Sequence, residues 1–288
     1  MRNKIRDANS DCLLCKQSKA LKTNSHIIPG FMTKSILGNT NKKRVYLLGT
    51  DRMHKSAEYS QDTDKEDYIL CTSCEKYLSI LETYIANRLH DRLWNIRYES
   101  QFPTYSNGEI KWRVCEQIDE SIFRLFFYSI IWRCHIASTE VCKNFKLIEE
   151  EAESIRVPLL ACKYDKHADF IANLPAYVDE IPIFPFIIFT AENFGDRTKN
   201  IISPNSSTRN PYEFIFNEYV LYFSFTNNEK QNEFQFLNNT DNSKIKIGFF
   251  SYKFWETLRK QHMDFFVDVT KKNLKKRGEI PWGFKHDE

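Results

Sequence analysis

Two cysteine pairs with the same spacing constrain this chain more than any other feature. Cys12 and Cys15 form the first pair, and Cys71 and Cys74 form the second. Two intervening residues close a tight turn that directs both sulfurs of a pair toward one point, and four thiolates at about 2.3 Å suit tetrahedral Zn²⁺. The sequence therefore predicts one structural zinc ion held by these four side chains.

The other four cysteines stand alone in the sequence, mostly near apolar residues, and we interpret them as small buried hydrophobic side chains. They are Cys115, Cys134, Cys142 and Cys162. The amino terminus is polar and charged and lacks the apolar core of a secretory signal. We therefore expect a cytoplasmic protein with reduced thiols. No apolar run reaches the roughly 20 residues that a membrane span needs, so we expect no membrane association.

A break in the helical pattern predicts two domains. The 288 residues are 42% hydrophobic, which is enough for a large core and for more than one domain. Pro103 and Gly108 lie in a polar segment that interrupts the preceding helical pattern. We therefore predict a cysteine module over residues 1–97, a linker over 98–111 and a second domain over 112–288.

The second domain is predicted to combine helices and strands. An almost continuous apolar tract predicts a central helix over about 118–137, and another helix is expected over about 144–156, stopping before Pro158. Short β-branched and aromatic runs separated by polar turns predict three to five strands between 181 and 250. A last helix is expected over 254–276. The predicted fold class is α+β, with a mixed domain of helices and antiparallel strands after the cysteine module.

The order of motifs in the cysteine module resembles a known nuclease family. The first cysteine pair is followed by Ser25-His26-Ile27-Ile28-Pro29, and then by the second pair, which leads into a helical pattern. This order resembles the HNH endonucleases, also called ββα-metal or His-Me finger nucleases, over about residues 10–90. The resemblance implies a zinc-stapled, treble-clef-like ββα module that hydrolyses DNA phosphodiester bonds. It also implies a context in restriction or phage defence.

The second half of the chain has a resemblance of its own. The tract 123–137, which includes Ile131-Trp132-Arg133, is similar to the second half of uncharacterised bacterial proteins that carry a module of this kind. That similarity implies no activity. We expect the second domain to regulate the module or to recognise a target or a protein partner.

The nuclease resemblance assigns roles to particular residues. His26 aligns with the family's general base, and a neutral imidazole can accept a proton from metal-polarised water near neutral pH. Glu75 takes the place of a metal ligand after the second cysteine pair, and Glu82 shares its helix face, so both are expected to hold Mg²⁺ or Mn²⁺. Ser25 and Glu66 replace residues that the family uses at its site.

Each of these roles has a structural alternative. Thr72 and Glu75 also fit a capping box, in which Glu75 bonds back to the backbone of the helix start. His26 also suits a brace for the hairpin or a zinc ligand. Because Ser25 and Glu66 depart from the family, the alternative for the whole module is a non-catalytic zinc finger that binds nucleic acid or protein and has a degenerate HNH site.

Positive charge is concentrated in the first part of the chain. Residues 1–100 hold 17 Lys and Arg against 12 Asp and Glu, although the whole chain carries only +3. Lys42, Lys43 and Arg44 are adjacent and are predicted to contact the phosphates of DNA. A solvated basic loop is the alternative interpretation of the same three residues.

Overall fold

The structure is a computed structural model of the chain, and it describes most of the sequence. The described residues are 6–33, 36, 45–47, 58–60, 63–89, 92–93, 95–143, 145–192, 201–205, 210–226, 232–241 and 243–276. No helix among them is long and apolar enough to cross a membrane.

The described elements are helices and strands in a mixed order. The helices are α1 (Gly30–Thr33), α2 (Thr72–Leu89), α3 (Glu120–Ile136), α4 (Glu149–Ala161), α5 (His167–Asn173) and α6 (Tyr252–Lys276). The strands are β1 (Ser25–His26), β2 (Val45–Leu47), β3 (Glu58–Ser60), β4 (Lys65–Glu66), β5 (Thr104–Asn107), β6 (Ile110–Val114), β7 (Phe186–Ala191), β8 (Ile202–Asn205), β9 (Tyr212–Phe216), β10 (Tyr219–Phe223) and β11 (Lys246–Phe250). The α+β class is therefore confirmed.

The amino-terminal part contains two short antiparallel strands followed by a long helix. In the β1–β4 pair, Ser25 lies opposite Glu66 and His26 lies opposite Lys65. Strands β2 and β3 form a separate antiparallel pair in the segment between them. Helix α2 begins six residues after Glu66 and buries its apolar side in the core. The paired strands β1 and β4 are therefore followed by α2, with α1, β2 and β3 between the two strands in sequence.

Seven strands form the main sheet, in the order β5-β6-β11-β7-β10-β9-β8. Five of them lie between residues 181 and 250, as the sequence predicts. Their pairings are antiparallel except between β11 and β7, which run parallel. The expectation of an antiparallel sheet therefore needs this one correction.

The segment predicted as a linker belongs to the sheet. Strand β5 and the start of β6 lie within 98–111, where Tyr105 stacks on Trp112. The residues that suggested a break mark the edges of this hairpin, since Pro103 precedes β5 and Gly108 occupies its turn with φ +61°. Turn residues are equally typical of hairpins and linkers, and pairing with a distant strand decides between them.

Helix α4 differs from its prediction because a proline lies inside it. It spans Glu149–Ala161 and continues past Pro158, where the sequence predicts a stop. Three acidic residues in its first turn favour this later start, since they lie at the positive end of the helix dipole. Pro158 is buried, so packing offsets the backbone hydrogen bond that it cannot donate.

Helix α3 is the centre of the core, as predicted. Every residue from Ser121 to Cys134 is buried, and Asp119 caps the helix by accepting a hydrogen bond from the Ile122 amide at 3.0 Å. One continuous apolar core extends from Cys12 to Ile247. A smaller core lies between the other face of the sheet and α6.

Packing crosses the predicted boundary between the cysteine module and the second domain. Phe31 stacks on Phe126 with ring centroids 5.9 Å apart. The Asn217 amide, in the β9–β10 turn, donates to the Met32 carbonyl at 2.8 Å. These contacts hold the segment after His26 against α3 and the sheet. The division into separate domains stays a prediction.

Candidate metal centre and the adjoining site

The four predicted zinc ligands converge on one point. Cys12, Cys15, Cys71 and Cys74 are buried, and their sulfurs all lie within 4.8 Å of one another. The sulfurs of Cys15 and Cys71 are 3.9 Å apart. Tetrahedral bonds of about 2.3 Å place neighbouring sulfurs about 3.8 Å apart, so the set fits a zinc-sized ion. This four-cysteine cluster can hold a metal ion such as zinc.

Local backbone geometry forms the first turn of the cluster. The Lys16 amide donates to the Cys12 carbonyl at 2.8 Å, and Lys16 adopts a positive φ of 55° to close the turn. The Cys12 amide donates to the Ser18 carbonyl at 2.7 Å. The Leu13 amide donates to the Ile69 carbonyl at 2.9 Å. This bond holds the first turn against the segment just before the second cysteine pair.

The second turn is the start of α2. The Cys74 amide donates to the Cys71 sulfur at 3.5 Å, and the Glu75 amide donates to the Cys71 carbonyl at 3.0 Å. The positive end of the helix dipole therefore faces the thiolates, which stabilises their charge. The helix begins at Thr72, and the sulfur of the preceding Cys71 accepts the Cys74 amide as the side chain of a capping residue does. Among the described hydrogen bonds, Glu75 accepts from Ser25 and not from the Thr72 backbone, whereas the predicted capping box requires the latter.

The thiols of the cluster shift one another's pKa values. A hydrogen bond with Cys74 lowers the pKa of Cys12, and the same bond raises the pKa of Cys74. Burial raises the pKa of Cys71. Four buried thiolates are stable together only when a cation neutralises them, because a buried charge without a partner is costly.

His26 lies on β1 with its ring orientation fixed by a hydrogen bond. Its Nδ1 is 2.8 Å from the Thr63 hydroxyl, and the ring is half-buried. The strand register places Lys65 directly opposite, and directly opposed residues in an antiparallel pair share one face. When Nδ1–H donates to Thr63, Nε2 carries the lone pair that accepts a proton.

Ser25 and Glu66 make structural contacts at the positions where the family has site residues. The buried Ser25 hydroxyl donates to Oε2 of Glu75 at 2.9 Å, so it holds that carboxylate in place. Glu66 accepts hydrogen bonds from the amide of Ser138 at 2.8 Å and from its hydroxyl. Glu66 therefore joins β4 to the loop after α3.

Glu82 forms an ion pair with a residue of α3. Its Oε1 lies 2.6 Å from Nη1 of Arg133, whose side chain is only 3% exposed. The same nitrogen donates to the backbone carbonyl of His26 at 2.8 Å. Strand β1 thus lies beside α2, connected to Glu75 through Ser25 and to Glu82 through Arg133.

The predicted ligands of a catalytic metal do not form a closed set. In the described part of the chain, only the four cysteines bring three or more ligand atoms within 4.8 Å of one another. His26, Glu75 and Glu82 are all described and do not form such a group. Their roles at a Mg²⁺ or Mn²⁺ site therefore stay predictions.

Two residues near His26 were not identified as site residues from the sequence. Arg133 lies in the apolar tract 123–137, whose pattern predicts a core helix and no site residue. Asp64 follows Thr63 directly, accepts the Ile27 amide on its carbonyl at 3.1 Å and accepts the Thr139 hydroxyl on its carboxylate. Burial raises the pKa of Asp64 to about 6. The contacts of Arg133 and those of Asp64 join residues far apart in sequence, so no local pattern indicates them.

The remaining predicted residues fall into two groups. Lys42, Lys43 and Arg44 lie outside the described residues, so their contact with phosphate stays a prediction. The four cysteines that stand alone in the sequence are buried and do not belong to the four-cysteine cluster.

Comparison with known proteins finds no matching family model, no similar curated protein and no similar solved structure. The resemblance to HNH endonucleases therefore rests on the order of motifs alone.

Replacement of Cys71 by serine should remove the metal. A neutral hydroxyl is a weak zinc ligand, and loss of one thiolate leaves three buried sulfurs without a tetrahedral partner. We expect zinc content to fall from about one ion per chain to well below one, with a large loss of thermal stability. Elemental analysis and thermal unfolding measure both. As a control, Cys115→Ser makes the same change at a buried thiol outside the cluster. Zinc retention by Cys71→Ser would contradict the assignment of Cys71 as a zinc ligand.

Replacement of Asp64 by asparagine should stabilise the protein in a pH-dependent way. Burial raises the pKa of Asp64 to about 6 in the folded state, above the ordinary value of 3.8 for this carboxyl. A raised pKa means that the folded state is favoured when the group is protonated and loses stability as pH rises through about 6. We therefore expect Asp64→Asn to raise the free energy of unfolding by about 1–2 kcal/mol at pH 7.5.

The gain should be about half as large at pH 5, because the folded wild-type carboxyl is then mostly protonated. Urea unfolding at both pH values measures the difference. Asp67→Asn changes an exposed carboxylate three residues away and serves as the control. An equal gain at both pH values would show that ionisation of Asp64 is not the cause.

Proposed function

We propose that this chain is a metal-dependent, HNH-like endonuclease that hydrolyses phosphodiester bonds in DNA. One observation carries the proposal: His26 lies on β1, which pairs with β4 and is joined through Ser25 to Glu75, the residue after Cys74 in α2. Its ring is oriented by Thr63 and its side chain shares a strand face with Lys65. This is the placement that the resemblance implies for a general base.

His26 performs the proton transfer in this mechanism. Its Nε2 takes a proton from a water molecule, the water oxygen attacks phosphorus, and the bond from phosphorus to the leaving oxygen breaks. Thr63 stabilises the imidazolium by accepting the hydrogen bond from Nδ1–H. Lys65 lies opposite His26 and supplies a positive charge beside the phosphate.

Glu75 is the first choice for holding a divalent ion. Ser25 occupies its Oε2, and Oε1 has no hydrogen-bond partner among the described residues. A hard carboxylate oxygen suits Mg²⁺ or Mn²⁺, which would polarise the scissile phosphate and stabilise the leaving oxygen when bound. Glu82 fits this role less well, because Arg133 already neutralises its charge.

The wider context follows from the resemblance. We place the activity in restriction or phage defence in the cytoplasm, with Lys42, Lys43 and Arg44 as additional phosphate contacts. The seven-stranded sheet and its helices would recognise a target or a protein partner.

A non-catalytic zinc module that binds nucleic acid or protein is the second candidate function. The Glu82–Arg133 ion pair favours it, because this contact uses one of the two carboxylates expected at a catalytic metal. The described residues also contain no second group of three ligands.

Replacement of His26 by alanine should abolish DNA cleavage. Purified protein is incubated with supercoiled plasmid and Mn²⁺, and nicking is followed over time. We expect the wild type to nick and His26→Ala to lose at least about 100-fold in rate, because a positioned general base contributes at least that much. Zinc content should be unchanged, since His26 is not in the four-cysteine cluster.

His167→Ala provides a matched control, because His167 is an exposed histidine at the start of α5. It should cleave at the wild-type rate. Plasmid binding without nicking under Mg²⁺, Mn²⁺ or Co²⁺ would favour the binding module. Wild-type activity in His26→Ala would show that His26 is not the general base.

A further inference from the structure

We propose that Arg133 is a positioning residue for His26, so that α3 of the second half completes the site of the cysteine module. This inference rests on the proposed nuclease function for its catalytic consequence. Its structural part is independent of that function and can be tested separately.

Arg133 connects three elements through one nitrogen. Its Nη1 donates to Glu82 Oε1 on α2 at 2.6 Å and to the carbonyl of His26 on β1 at 2.8 Å. The residue itself belongs to α3 and is 2% exposed. Hydrogen bonds from a charged donor are stronger than neutral ones and lose little to water in a buried position.

The remaining donors of Arg133 fix its orientation within its own helix. Nε donates to the Ser129 carbonyl at 3.2 Å, and Nη2 donates to the Ser129 hydroxyl at 3.4 Å. Glu82 supplies the countercharge that a buried guanidinium requires. The planar group is therefore held in one place, and Nη1 reaches His26 from a rigid support.

The contact matters because it restrains the backbone of His26 itself, whereas the Ser25 hydroxyl contacts Glu75 and the Ile27 amide contacts Asp64 on either side of it. Strand β1 is two residues long and pairs only with β4 in the described part of the chain. Arg133 restrains the backbone of His26 and Thr63 restrains its ring, so together they set the direction of the imidazole. A general base must be held to within about 0.5 Å, and an error of about 1 Å costs about 100-fold in rate.

Arg124 offers a matched comparison on the same helix. It is 1% exposed and donates to backbone carbonyls of Phe184 and Asn239 at 3.4 Å, in the half of the chain that contains the sheet. Like Arg133 it donates to backbone carbonyls from a buried position, but these carbonyls belong to neither β1 nor α2, and its hydrogen bonds to described residues do not include a carboxylate as that of Arg133 to Glu82 does. A variant at Arg124 therefore measures how much stability and activity change when any buried arginine of α3 is replaced.

The test compares Arg133→Lys with Arg124→Lys. Lysine keeps the positive charge but lacks the rigid fork that holds Glu82, His26 and Ser129 together. Plasmid nicking gives kcat and KM, and ¹⁵N-histidine spectra report on the ring of His26. The His26 signals are assigned by their loss in His26→Ala. Zinc content and thermal stability are measured for every variant.

We expect Arg133→Lys to lower kcat by about 100-fold with KM within about threefold, and to shift the His26 ring signals. Arg124→Lys should leave both kcat and the His26 signals unchanged, even if stability falls. Ser129→Ala is a milder second variant if Arg133→Lys does not fold. It loosens the guanidinium without removing it, and should shift the same signals with a smaller loss of kcat.

Unchanged His26 signals and unchanged kcat in a folded Arg133→Lys or Ser129→Ala variant would overturn the proposal. If the wild type shows no cleavage, the nuclease function fails and the spectra alone decide the positioning role. A shift of the His26 signals in Arg133→Lys but not in Arg124→Lys would then still support it.

Discussion

The four-cysteine cluster is the constraint on which the rest of the site depends. It brings a turn near the amino terminus to the first turn of α2, although 55 residues lie between the two pairs in sequence. Buried thiolates repel one another unless a cation is present, so metal binding and the folding of this region are coupled. With a metal ion bound, the cluster would be a staple that fixes the amino-terminal turn to the start of α2. Glu75, a candidate ligand of the second metal, follows Cys74 directly in that helix.

A second constraint connects the staple to the larger part of the molecule. Arg133, in the buried stretch of α3, bonds Glu82 of α2 and the backbone of His26. A buried ion pair stabilises little when complete but is costly to break, so it specifies one arrangement of these elements. Because α3 is packed in the core, its Arg133 restrains the position of β1, a strand of only two residues. The site is built by both halves of the chain.

Local patterns in the sequence predicted the features that local geometry determines. The spacing of Cys12, Cys15, Cys71 and Cys74 predicts their convergence, and apolar patterns predict α3 and three to five strands where the structure has five. Long-range pairing was not predictable in this way. The turn residues of the β5–β6 hairpin predict a linker, because they carry no sign that β6 pairs with β11. The contact between Arg133 and His26 spans 107 positions and has no sequence signal.

X-ray absorption spectroscopy at the zinc edge of the purified protein tests the central claim most directly. The structure predicts one zinc ion per chain with four sulfur neighbours at about 2.3 Å and no nitrogen or oxygen neighbour. A first shell that contains nitrogen or oxygen, or a zinc content far below one per chain, would contradict the four-cysteine staple and the arrangement of β1 and α2 that depends on it.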